Sequence, residues 1–247
     1  MSDLKHHIAS AFDRDLEGIQ AKIMKMGGLV EDSIQLSTKS LESRDEELAQ
    51  SVRSGDATID ALEESLNQEV ARVIALRAPT ASDLRIVLSV MRMSANLERM
   101  GDLSKNIAKR TTVLVQMQPI GDTSRSIRRM AREVELMLKD ALDAYIQRDE
   151  ALALDVIDRD RDIDQMYNTL FREFLTFMLE DPRNITACMH LHFIAKNIER
   201  MGDHVTSIAE QVVFLTSGRK PSEMRVKADR TSTDATLAPD MPDAGGA

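Results

Sequence analysis

Glu98 and Asp102 stand four residues apart in "LERMGDLSKNIAK" (residues 97–109), and Glu199 with Asp203 repeats the pair in "IERMGDHVTSIAE" (residues 198–210), so the letters ERMGD return after 101 residues. Four residues along a helix turn through about 400°, which leaves the two carboxylates of each pair only ~40° apart on one face. Measured from Leu97 and Met100, that face is the flank or outer rim of the apolar stripe rather than its centre. Between the acids lies a glycine, Gly101 or Gly202, which costs a helix about 1 kcal/mol relative to alanine. Something needs the missing side chain. Carboxylates gathered on one patch repel one another unless protons or a cation intervene. All-oxygen donors suit hard ions such as magnesium, manganese, calcium or iron, often more than one per site where carboxylates bridge.

The elements that must position these acids are helices. Aromatic residues make up 3% and charged residues 30% of the 247 residues, with few strand formers, so an all-α chain is expected. A second repeat reinforces the first: "RDEELAQSVRSGDATID" (44–60) matches "RDEALALDVIDRDRDID" (148–164) at an offset of 104, three more than at ERMGD. A tandem duplication with three residues lost between the blocks explains both matches. Apolar residues recur at helical steps in each copy, at Met93, Leu97, Met100 and Ile107, and at Ile194, Ile198, Met201, Val205, Ile208 and Val212. Pro79 and Pro182 mark turns. The pattern predicts helices over about 8–43, 46–77, 82–114, 124–147, 150–179 and 184–216, with "VQMQPIGDTS" as the linker. Short connections make neighbours antiparallel, so the expectation is two tandem antiparallel three-helix bundles, 1–116 and 117–216. Helices of ~30 residues would be rods of roughly 45 Å. The stretch 217–247 lacks an apolar period and reads as a disordered tail. Gly27-Gly28 reads either as a kink or as a close helix contact.

Antiparallel turns bring further acids level with the motifs. Counted from a turn near residue 81, Asp60 and Asp102 are equally distant; from a turn near 183, Asp164 and Asp203 nearly so. Asp56 and Asp160 lie one helical turn further on. The same counting across the turn near 45 sets Glu31 level with Asp60, and Glu135 level with Asp164. The candidate ligand set is therefore Glu98, Asp102, Asp56 and Asp60 in one half, and Glu199, Asp203, Asp160 and Asp164 in the other, for a divalent or multinuclear metal.

Other features exclude more than they suggest. A formal charge of −9 disfavours a nucleic-acid partner. The lone Cys188 permits no internal disulfide, fits a reducing, cytosolic home and reads as a buried small apolar residue. The first residues contain acids and no apolar run, so no secretory leader is expected, and no stretch approaches the roughly 18 apolar residues of a membrane helix. His6 and His7 precede the first expected helix. His190 and His192, two apart, cannot share a helical face, and His204 ranks below the acids as a ligand because Leu103 fills its place in the first copy. The methionines, Met91, Met93 and Met100 among them, read as core packing. No phosphate-cradling loop, nucleophile elbow or CxxC is present.

With "ERMGDLSKNIAK", "ERMGDHVTSIAE", "RAPTASDLR" and "MGGLVED" in view, the sequence resembles the PhoU family of phosphate-uptake regulators from about His7 to Leu215. The resemblance implies two tandem three-helix bundles and E/DxxxD motifs, here Glu98 with Asp102 and Glu199 with Asp203, that bind multinuclear clusters of iron or of other divalent ions such as zinc, manganese or magnesium. It implies a non-enzymatic negative regulator that represses the phosphate-starvation response when phosphate is plentiful. The implied partners are the ATPase subunit of the phosphate ABC transporter and the sensor histidine kinase, met at the inner face of the membrane without insertion into it. A homodimer is expected. The copies also differ: "NIA" at 106–108 becomes "SIA" at 207–209, and Lys109 faces Glu210, so the two patches need not be equivalent.

Two other classes are weighed against this reading. A di-iron carboxylate enzyme needs Glu-x-x-His on facing helices; three residues after each motif glutamate comes Gly101 or Gly202 instead. A plain scaffold would carry the same acids simply solvated.

Overall fold

The computed structural model describes residues 2–219 except 78 and 80. Six long helices follow one another: α1 (Ser2–Ser43), α2 (Glu46–Arg77), α3 (Ala81–Leu114), α4 (Thr123–Gln147), α5 (Glu150–Glu180) and α6 (Ile185–Ser217). The expected tail from 220 onward lies outside the described residues. No described helix is long and apolar enough to cross a membrane.

The duplicated "RDE" proves to be punctuation. Arg44 and Arg148 both take the left-handed conformation, φ 56°, that ends α1 and α4. The next residue, Asp45 or Asp149, begins the following helix: its carboxylate accepts from Leu48 N at 2.9 Å and from Leu152 N at 3.0 Å. Two residues thus stop one helix and start another, which makes α1–α2 and α4–α5 antiparallel hairpins. Arg44 does more, donating to the carbonyls of Leu114, Val115 and Met117 at 3.0, 2.8 and 2.5 Å and so closing the end of α3 and the linker. Asp181 and Pro182 start a short 3-10 turn before α6, with Arg183 N donating to Asp181 Oδ1 at 3.0 Å. In the linker, Gly121 has φ +46° and sits against the Phe177 ring, where a Cβ would clash.

Helix α2 packs on α1 and α3, and α5 packs on α4 and α6; the halves meet along α3–α6 and α1–α4. The arrangement is two three-helix bundles joined through four inner helices, with α2 and α5 outside. The apolar core runs without a break through both halves, from Ile19, Ile23 and Met26 through Met93, Leu97 and Met100 to Met130, Met137, Ile198 and Met201. Each such residue, withdrawn from water, stabilises the fold by about 1.5–3 kcal/mol. Cys188 is buried, and burial pushes its thiol up. Gly27 meets the need for close contact, since a Cβ there would press into Leu142 of α4; α1 runs straight through it as helix.

Two sequence expectations need correction, and the direction of a further pair of acids, open from the sequence, is set by the structure. Helix α1 starts at Ser2, not near 8, and takes in His6 and His7. Met91 is exposed, not core, because it lies outside the stripe of Val87, Val90 and Met93. Glu31 and Glu135 do not join the acids of α2 and α5. Burial, and the nearby Asp32, Asp143 and Glu135, raise the Glu31 carboxyl above its ordinary range while Lys139 lowers it, so it faces the α1–α4 seam. Counting from a turn fixes height along a helix, not the direction around it.

Candidate metal centre

On the first half, α2 and α3 bring the expected acids to one groove. Asp56 is only 2% exposed. Its Oδ1 lies 3.3 Å from where a Cβ on Gly101 would stand, and Ile59 Cδ1 lies 3.0 Å from the same point. The glycine is therefore the place where α2 approaches α3. Asp56 Oδ2 accepts from Lys105 Nζ at 2.5 Å, and the same ammonium lies 3.7 Å from Asp102 Oδ1. Arg99 bridges the outer side, 3.5 Å from Glu98 and 3.7 Å from Asp102.

Charges confirm the grouping. The Asp60 carboxyl is raised above its ordinary value, first by desolvation, although it sits on the exposed rim, then by Asp56 and Asp102, with Lys105 opposing. Glu98 is raised by burial and by Asp102, Glu63 and Asp60, with Arg99 opposing. Lys105 is raised by its hydrogen bond to Asp56, and Asp102 and Asp60 add to this. Five acids, Asp56, Asp60, Glu63, Glu98 and Asp102, thus share one field.

On the second half the same backbone approach recurs. A Cβ on Gly202 would stand 3.2 Å from Asp160 Oδ1 and 3.4 Å from Ile163 Cγ2. Here the acids are deeper: Asp160, Asp164 and Glu199 are 5%, 3% and 3% exposed, and Asp203 is half-buried. Glu199 Oε2 is 3.0 Å from Lys196 Nζ, whose ammonium also lies 4.8 Å above the Tyr167 ring. Thr206, at the place of Lys105, turns its hydroxyl back to the Gly202 carbonyl at 3.0 Å.

The histidines also meet groups other than the acids. His204 Nδ1 is 2.9 Å from Asn96 Oδ1 across the α3–α6 seam. His190 meets Arg110 at 3.3 Å, and His192 lies among the rings of Tyr167, Phe171 and Phe193.

Sequence reasoning passed over Lys105, Lys196, Arg99 and Glu63. The first had a visible signal, because aligning the two ERMGD blocks sets Lys105 against Thr206.

Chemically, both grooves offer oxygen donors of the kind hard divalent ions take. Among the described residues, however, no three His, Cys, Asp or Glu side chains are arranged to hold an ion as they stand. On the second groove the buried carboxylates and the glycine opposite Asp160 fit such an ion in donor type. On the first, the Lys105 ammonium already lies between Asp56 and Asp102.

An all-helical protein made of two repeated three-helix halves, each with an acidic groove over a motif glycine, defines a narrow class. The PhoU domain model matches the chain twice, over residues 23–111 and 127–212. A phosphate-specific transport system accessory protein PhoU homolog of Caulobacter vibrioides is 41% identical over 226 residues, covering 92% of this chain and 98% of that one. Its namesake in Rhizobium meliloti is 44% identical over 227 residues, covering 92% and 96%. The crystal structure of PhoU from Pseudomonas aeruginosa superposes with a TM-score of 0.82 at 36% identity, covering 84% of this chain and all of that one. The phosphate transport system regulatory protein PhoU from Streptococcus pneumoniae gives a TM-score of 0.78 at 28% identity, covering 85% and 99%. The chain belongs to the PhoU family.

Proposed function

We propose that this chain is a non-enzymatic accessory protein of phosphate uptake that represses the phosphate-starvation response when phosphate is plentiful. Its partners in this reading are the ATPase subunit of the phosphate ABC transporter and the phosphate-sensing histidine kinase. It works in the cytoplasm, at the inner membrane through those partners, as a homodimer. The observation that carries the reading is near full-length similarity, 41% and 44% identical, to relatives named as phosphate-transport accessory proteins. The metal reading rests on donor chemistry: Asp160, Asp164, Glu199 and Asp203 would hold a hard divalent ion on the second half, and Asp56, Asp60, Glu98 and Asp102 on the first. Such an ion would supply positive charge that ties the outer helix to its motif helix.

Deleting the gene and following phosphate-starvation transcripts tests the regulatory reading. The expected outcome is starvation expression that persists in high phosphate. Transcripts that remain fully repressible would overturn it. A pull-down from membranes, with the untagged chain as bait, is expected to recover the transporter ATPase and the kinase. Metal analysis of the same untagged preparation checks the ion, which should fall in a Glu199→Gln/Asp203→Asn variant.

A further inference from the structure

We infer that Lys105 is the resident cation of the first acidic groove, and that a divalent ion enters that groove only by displacing its ammonium. A carboxylate as buried as Asp56, 2% exposed, must be paired or hydrogen-bonded to remain charged. Lys105 supplies that pairing on Asp56 Oδ2 at 2.5 Å, and it does so from α3, so the bond spans the two helices. At 3.7 Å from Asp102 Oδ1, the ammonium lies between the α2 and α3 carboxylates that an ion bridging the same helices would bind. Asp56 Oδ1 faces the other way, buried and without a hydrogen-bond partner, beside Gly101.

The lysine is built to leave. Its side chain is 44% exposed against 2% for Asp56, so the ammonium can move into water while the carboxylate cannot. A tethered ammonium competes at high effective concentration with any ion in solution. In the second half the corresponding residue is Thr206, whose short hydroxyl is engaged with its own helix, and the lysine near the acids is Lys196, on Glu199. The duplication therefore holds one groove with a lysine bridging the two helices at this position and one with a threonine there. The displacement half of this inference rests on the metal reading proposed above; the resident-cation half does not.

The full chain, stripped with a chelator, is titrated with Mn2+ by calorimetry, with bound metal counted after equilibrium dialysis. In a Glu199→Gln/Asp203→Asn background, which leaves only the first groove, Lys105→Thr is expected to tighten Mn2+ binding by about tenfold or more, the effect of removing one charge-assisted competitor. That gain should vanish when Asp102→Asn is added. Equal affinity with lysine or threonine overturns displacement. If neither the wild type nor any variant retains Mn2+, displacement falls together with the metal reading. A double-mutant cycle of Lys105→Met and Asp56→Asn in metal-free buffer then decides the resident cation by itself. Stability losses that are smaller in the double variant than their sum support it, and strictly additive losses overturn it.

Discussion

The two acidic grooves share a backbone and differ in how charge is held. In both, a helical glycine lets a buried aspartate of the outer helix, Asp56 or Asp160, approach the motif helix. In the first, the lysine comes from one turn beyond the motif and crosses to the outer helix; in the second, Lys196 precedes the motif by one turn and pairs with Glu199 on its own helix. The first groove keeps Asp60 on its rim, whereas its counterpart Asp164 is buried. Duplication has preserved the steric requirement and let the electrostatics diverge. The glycines are thus explained by packing, whatever ion the acids take.

The largest effect expected concerns what the grooves share. Gly101→Leu and Gly202→Leu should each destabilise the protein by more than about 3 kcal/mol, because overpacking adds to the displacement of a buried aspartate. Gly202→Leu should be the worse of the two, since its nearest neighbour is the Asp160 carboxylate rather than the terminal methyl of Ile59. Urea unfolding followed by circular dichroism measures both; an unchanged midpoint in either would break the common packing account.

Thr206→Lys gives the second groove the lysine of the first. It should remove Mn2+ retention by that groove in equilibrium dialysis and cost about 1–3 kcal/mol in urea unfolding, because the threonine is fully buried. Unaltered metal retention would mean that the two grooves do not differ through this position.

A smaller loss is expected for Lys105→Met in metal-free buffer, about 1 kcal/mol for a charge-assisted bond whose donor is nearly half exposed. The same comparison made at rising pH sharpens it. The ammonium is raised above its ordinary 10.5 in the folded chain, so its stabilisation is present in full below that value and is lost as pH climbs through the folded value. Wild type and variant should converge there.

The smallest effect is a gain. Asp60 is raised above 3.8 in the folded chain, so the folded state holds that proton more readily than the unfolded one, and stability falls as pH rises through the folded value. Asp60→Asn should therefore lift the urea midpoint slightly at pH 7 in metal-free buffer, with no difference below about pH 3.8.

Much of this architecture was legible because it is local. Periodicity placed five of the six helices within about two residues, and the duplicated "RDE" and ERMGD announced two equivalent halves. The acids Asp56, Asp60, Glu98 and Asp102 were brought together as turn counting predicts, because α2 and α3 form one antiparallel pair and both carry their carboxylates on the shared flank. For Glu31 and Glu135 counting left the direction around the helix open, a quantity that depends on which inner helix each bundle turns towards its twin. Lys105 was missed because a lysine among helical acids reads as a solvated charge until the burial of its partner is known. The start of α1 was missed although Leu4, Ile8 and Phe12 continue the apolar step of four back from Leu16.

Among the described residues, α2 and α5 each make their main contacts within their own half, while the other four helices form the shared interior. A change of charge in the first groove would accordingly bear on the hold that α3, an inner helix, has on the peripheral α2. Each half thus has one helix whose seating depends on a groove that it does not share with the other half.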